Sequence, residues 1–238
     1  MRNCSWYFLL IVSFMISCAQ KQPSADAIIA KSIEAHGGME NYQQLKHLDL
    51  LKDIKRYDST EALTLHRIER QHFSFVAPRQ SSIQFKEGED TILYEEKEKV
   101  VIRKYNDSLV HDTQKLSAAK SALDGARFVL FQPFLLEDGM ASKAYAGMSA
   151  LEGDVVHVVA IKFANSEDEW EFYFAESNYL LRGYRVYHNQ RYSLIINETT
   201  QAHEGLILVK DRSSYFTDSS GRSRILTARY AYQMLPSD

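Results

Sequence analysis

Hydrophobic positions change their spacing several times along the chain, and each change marks an element. Residues 4–17 are almost wholly apolar or small and follow the short positive start Met1-Arg2-Asn3. Such a run is shorter than the roughly 20 apolar residues that span a bilayer. It matches the apolar region of a secretory signal, about 7–15 residues long. After a polar stretch containing Pro23, Ser24 stands where a helix N-cap belongs, and Ala27, Ile28, Ile29, Ala30, Ile33 and Ala35 make a broad apolar stripe. That spacing predicts a helix to about His36. Gly37 and Gly38 then stop it, because glycine takes the left-handed conformation that closes helices. His36 reads as part of this cap, favourable at a helix C-terminus, rather than as a catalytic group.

From Leu45 the period becomes two. Leu63, Leu65, Phe73 and Phe75 fall on one parity and His66, Arg70 and His72 on the other, which predicts a long strand. "RQSSIQF", "TILYEE" and "KVVIRKYND" predict three shorter strands joined by charged turns. The alternation breaks over residues 113–136, where helix-forming residues precede the cluster Phe128, Val129, Leu130, Phe131, Phe134, Leu135 and Leu136. Pro133 limits a continuous helix there. Strand patterns resume at "SALEGDVVHVVAIKF" and continue through "DEWEFYFAESNYLLRGYRVYHN", "RYSLIINETTQAHEGLILVKDRSSYF" and "RSRILTARYAYQML". The short loops imply an antiparallel meander, and open sheets of this size curl. The expected fold is mainly β with helices (α+β): a curved antiparallel sheet or unclosed barrel of about ten strands, with helices covering the concave face.

Composition changes this picture little. Tyr 14 and Phe 12 are high counts and leave aromatic surface to bury in strands. The formal charge is −3, with charges well mixed, so nothing points to nucleic acid. Cysteine is more informative. The only two are Cys4 and Cys18, so loss of residues 1–17 and acylation of Cys18 would leave neither a disulfide nor a free thiol in an oxidising compartment.

The segment Met15-Ile16-Ser17-Cys18 resembles a bacterial lipobox, which implies cleavage before Cys18, its acylation, and membrane attachment by lipid. The division that follows is a signal peptide over 1–17, a tether over 18–26 and one domain over 27–238. The run "DAIIAKSIEAHGGMENYQQLKHLDL", with "EAHGG" as its most specific part, resembles the start of lipoproteins similar to the LolA/LolB carriers. In order along the chain, "DTILYEEKEKVVIRKYND" resembles that family's repeated strand pair, "FQPFLLEDG" the apolar segment before its second half, and "LEGDVVHVVAIKF" and "WEFYFAESNYLLRGYRVYHN" its later strands. The resemblance implies a half-open barrel with helices in its mouth, an apolar cavity for acyl chains, and a place in the envelope of a Gram-negative bacterium. The expected setting is the outer membrane, facing the periplasm.

No catalytic pattern stands out. HExxH, CxxC and GxSxG are absent, and the glycines form no phosphate loop. Glu169 and Glu171 alternate with Trp170 and Phe172, the signature of a solvated strand face. His157 lies in an apolar strand and reads as a structural histidine. No enzyme activity, cofactor or metal is expected. Asp58-Ser59-Thr60, Asp90-Thr91-Ile92 and Asp107-Ser108-Leu109 resemble an O-glycosylation triplet of exported proteins but read first as turn chemistry. The candidate ligand site is apolar. Trp170, Phe172 and Phe174 share a face, Tyr184 and Val186 a parity of the next strand, and Leu194 and Ile196 one of the strand after that. If the sheet curls around the insertion carrying Phe128, Phe131 and Phe134, these sets meet in an acyl-chain pocket with residues 128–136 as a movable lid. The alternative is an envelope protein-interaction or sensing module with a filled core.

Overall fold

Helix α1 (Ala25–Ala35) begins as its sequence dictates, with the Ser24 hydroxyl accepting the Ala27 N–H at 3.1 Å. These features come from a computed structural model that describes residues 22–137, 141–164 and 166–236. The expected signal segment and Cys18 lie outside the described residues. Ile28, Ile29 and Ile33 are buried, and His36 caps the helix. Its ring is buried too, and Nδ1 donates to the Ser32 carbonyl at 2.8 Å. Burial lowers its pKa below the usual imidazole value, so it is neutral and does not act as a charged cap.

Gly37 has φ +108°, and a Cβ at this position would lie 2.1 Å from the Gly205 carbonyl oxygen. The Ile207 N–H donates to the His36 carbonyl beside it at 2.9 Å. The His-Gly-Gly junction is thus where α1 and the short helix α2 (Gly38–Gln44) seat on a strand turn, and only glycine permits the approach.

The strands are β1 (His47–Tyr57), β2 (Leu63–Ser74), β3 (Gln80–Glu87), β4 (Asp90–Lys97), β5 (Val100–Tyr105), β6 (Ser108–Leu109), β7 (Ala141–Leu151), β8 (Asp154–Phe163), β9 (Glu169–Ala175), β10 (Leu181–His188), β11 (Arg191–His203), β12 (Leu206–Thr217) and β13 (Arg224–Met234). They form one unclosed antiparallel sheet in the order β6-β5-β4-β3-β2-β1-β13-β12-β11-β10-β9-β8-β7. Among the described residues thirteen strands replace the expected ten or so. The additions are understandable. β6 has two residues, and β7 is rich in alanine, serine and glycine, which have low strand preference. The triplet at Asp58 is a turn: its carboxylate accepts from Thr60 N at 2.8 Å and Ala62 N at 3.1 Å.

Helix α3 (Thr113–Leu130) is capped by Asp112 and followed by a single 3₁₀ turn (Phe134–Glu137). Together they carry the chain from the β6 edge of the sheet to the β7 edge. This crossover shows how strongly the sheet curls. α3 touches β5, while its Phe128 ring lies 5.8 Å from Phe163 at the end of β8. An 18-residue helix is about 27 Å long. Ten strand spacings separate β5 from β8, which in a flat sheet is about 48 Å. Both contacts require the sheet to wrap around the helix. The main core fills the inner face with Leu48, Leu50, Phe73, Ile83, Phe172 and Phe174 against Ile29, Leu123, Leu130 and Phe131. A smaller apolar cluster of Leu151, Val156, Val158, Tyr173, Leu194 and Ile196 covers part of the outer face.

Candidate functional site

Two of the hollows among the described residues lie on the inner face, one on each side of Tyr184. The first is an apolar groove of about 560 Å³, lined by Phe128, Phe134, Leu135, Phe163, Ser166, Asp168 and Trp170. Its aromatic wall is built edge to face: Phe128 lies 5.7 Å from Trp170, and Phe163 lies 6.1 Å from it. Trp170 in turn stacks on Phe172 at 5.9 Å. The Trp170 indole N–H is buried and has no partner among the described residues. At the polar rim Asp168 pairs with His188 at 2.6 Å.

Register explains which expected residues gather here. Trp170 pairs with Val186 and Phe172 with Tyr184, and paired residues share a face. Trp170, Phe172, Phe174, Tyr184 and Val186 accordingly all join the inner core, as do Phe128, Phe131 and Phe134. Leu194 and Ile196 do not. The β10–β11 hairpin turns tightly between His188 and Arg191, so Tyr184 pairs with Ile195. Even-numbered residues of β10 therefore face the same way as odd-numbered residues of β11. Ile195 points inward, and Leu194 and Ile196 go to the outer cluster. Of the inward set, Phe131, Phe172 and Phe174 are wholly buried. Only Phe128, Phe134 and Trp170 line the groove, which Leu135 and Phe163 complete. The outward carboxylates are held by cations, Glu169 by Lys162 at 2.8 Å and Glu171 by Arg185 at 3.1 Å.

The second hollow, about 290 Å³, lies between α3 and the middle of the sheet. Ser121, Ala122, Gly125, Ala126 and Val129 line it from the helix. These small side chains sit at helical spacing on one face and leave the space unfilled. The sheet side mixes the isoleucines Ile54, Ile83 and Ile195 with charged and phenolic side chains. Lys52, Arg56, Arg67, Glu69, Gln71 and Arg212 line it together with Tyr94, Tyr184, Tyr230 and Tyr232. Glu69 accepts from Arg67 at 2.6 Å and from Gln71 at 2.7 Å. Arg212 is 3% exposed; it donates to Asn197 Oδ1 at 3.0 Å and to the Val129 carbonyl of α3 at 3.4 Å. Burial raises the pKa of the Tyr184 hydroxyl, against the opposing pull of Arg212. Sequence reasoning missed this hollow, although a signal existed. The strand parity that carries Leu63, Leu65, Phe73 and Phe75 also carries Arg67, Glu69 and Gln71.

Among the described residues no group of three or more His, Cys, Asp or Glu could hold a metal. His157 is buried as a structural residue, 3.2 Å from the Tyr145 hydroxyl and stacked on Tyr179 at 5.6 Å.

An unclosed antiparallel half-barrel, wrapped around a helical crossover and hollow beneath it, defines the LolA-like fold. This chain has that fold. It resembles a LolA superfamily protein from Nitrosomonas europaea with a TM-score of 0.56 at 13% identity, covering 91% of this chain and 95% of that one. A DUF1329 family protein from Desulfovibrio piger matches at 0.52 and 9% identity, over 89% and 92% of the two chains. A domain ascribed to outer-membrane lipoprotein sorting, from Vibrio parahaemolyticus, matches at 0.50 and 8% identity, over 87% and 93%. No family model matches the sequence, and no curated protein matches it.

Proposed function

We propose that this is a non-catalytic protein of the Gram-negative cell envelope, tethered through lipid on Cys18 at the periplasmic face of the outer membrane, that binds a hydrophobic ligand such as an acyl chain. The observation that carries the reading is the groove beside Trp170. It is mainly apolar, it lies under the helical crossover, and its volume of about 560 Å³ falls within the roughly 300–1,000 Å³ of small-molecule sites. Burying about ten methylenes there contributes up to about 8 kcal/mol before ordering terms. The neighbours in fold include a LolA superfamily protein and a lipoprotein-sorting domain, which supports a carrier-like role.

Titration with a fluorescent fatty acid tests the reading. Leu135→Asp places a charge on the half-buried groove wall and should weaken binding at least tenfold while the fold persists. A wild-type chain that binds no fatty acid, or a variant that binds it unchanged, refutes the proposal. The complete burial of Phe131, Phe172 and Phe174 favours one alternative: an interaction module in which the same groove receives an apolar segment of an envelope protein. That reading predicts no fatty-acid binding at all.

A further inference from the structure

We propose that the hollow beneath α3 binds an oxyanion, a phosphate or carboxylate group, either free or as the head of an amphiphile. The charge balance of its walls is the first reason. Lys52, Arg56, Arg67 and Arg212 face one carboxylate, Glu69, in a chain whose formal charge is −3. Glu69 is already engaged by Arg67 and Gln71. Among the described residues Lys52, Arg56 and Arg212 have no ion-pair partner.

The state of each cation is the second reason. Arg212 is almost fully buried, yet its hydrogen bonds go to neutral oxygens, an amide and a backbone carbonyl. A buried guanidinium without a counter-charge is strongly unfavourable, and an arriving anion relieves that. Lys52 stands over the rings of Tyr230 and Tyr232, 5.0 and 5.6 Å from their centroids. This leaves its ammonium oriented but without a carboxylate. The Arg67 Nε–H is buried with no partner among the described residues. Arginine forks match the oxygen geometry of carboxylate and phosphate groups.

Size and access fix the class of ligand. About 290 Å³ sits at the lower end of small-molecule sites, enough for an anionic group and not for a whole lipid. Arg56 is exposed and lines the hollow, so it marks the side open to solvent. Tyr184 separates this space from the apolar groove, its ring 5.4 Å from Trp170. The proposal therefore stands without the acyl-chain reading.

The test uses the full chain in non-ionic detergent with three probes: inorganic phosphate, hexyl phosphate and hexanol. Calorimetric titration should show saturable binding of at least one phosphate probe that weakens steeply with salt. Lys52→Gln and Arg212→Gln should each reduce it tenfold or more. Lys52 is only half-buried, so its variant remains informative if Arg212→Gln fails to fold. Equal affinity for the two phosphates identifies a free anion as the ligand. Tighter binding of hexyl phosphate by tenfold or more identifies an amphiphile head group. The proposal is overturned if neither phosphate binds, if hexanol binds as well as hexyl phosphate, or if Lys52→Gln leaves binding unchanged. Leu135→Asp should leave phosphate binding intact, which separates failure of the groove reading from failure of this one.

Discussion

Replacing Phe131 by alanine should destabilise the protein heavily and leave its ligand site nearly untouched. The ring is fully buried and lies 5.2 Å from Phe75, 5.5 Å from Phe73 and 5.7 Å from Tyr42. Truncation forfeits the burial of a large aromatic side chain, about 1.5–3 kcal/mol, and leaves a void. Phe→Ala changes in cores cost about 3–5 kcal/mol in total. The neighbours Phe73 and Leu130 are themselves 1% exposed, so the walls have little freedom to collapse and the upper half of that range applies. In a chain of this length each kcal/mol moves the melting temperature by about 2–4 °C, giving a fall of about 8–20 °C. Urea titration should show a lower midpoint with an unchanged slope. Phe128→Ala is the counterpart. Its half-buried ring meets Phe163 and Trp170 at the groove, so the change should cost about 1–2 kcal/mol and weaken fatty-acid binding. If Phe131→Ala lost under about 1 kcal/mol while abolishing binding, Phe131 would line a site rather than fill a core, and the division drawn here would be reversed.

Other outcomes follow from local features. Gly37→Ala combines a positive φ with a collision against the Gly205 carbonyl; it should lose about 2 kcal/mol or more. Gly38→Ala meets nothing closer than 3.8 Å and should lose less in the same urea series. Burial lowers the His36 pKa, so below the unfolded value of about 6.5 the unfolded chain takes up the proton more readily. Stability should fall as pH drops through that value and level off below the folded pKa. His36→Gln should flatten that part of the urea midpoint profile. Cys18→Ala should leave the chain unprocessed or displaced from the membrane, as read by intact mass and fractionation; cleavage and membrane binding unchanged would contradict a lipid anchor.

The regular elements were legible because local rules and tertiary needs agreed. Ser24, the isoleucine stripe and the His-Gly-Gly stop marked α1 within a residue or two, and alternation along β9 put Trp170, Phe172 and Phe174 on the inner face, paired through Val186 and Tyr184 with β10. Two features of the site were harder to read. Placing Leu194 and Ile196 required knowing that a two-residue hairpin inverts the parity of facing residues, and one residue of register moves every side chain to the other face. The hollow beneath α3 required knowing that the small stripe Ser121–Val129 would lie over Arg67 and Glu69. Binary pattern assigns charged strand positions to solvent. In this fold the middle of β2 inverts that rule, leaving Ile68 at 55% exposure while Glu69 is 5% exposed.

The ladder between β1 and β13 joins two halves that are otherwise built from neighbouring hairpins and linked by the α3 crossover. Leu50 meets Met234 there, and Arg56 meets Ala228. Each half can therefore form early from local pairing, whereas the seam waits for strands distant in sequence to meet, a slow step. Until it closes, β1 and β13 each present a bare edge of identical make-up in every copy of the chain. Two incomplete molecules can satisfy both edges reciprocally, β1 of one with β13 of the other. The seam is thus the point at which crowding during refolding trades monomers for swapped pairs, and a dilution series of the refolding yield would expose that competition.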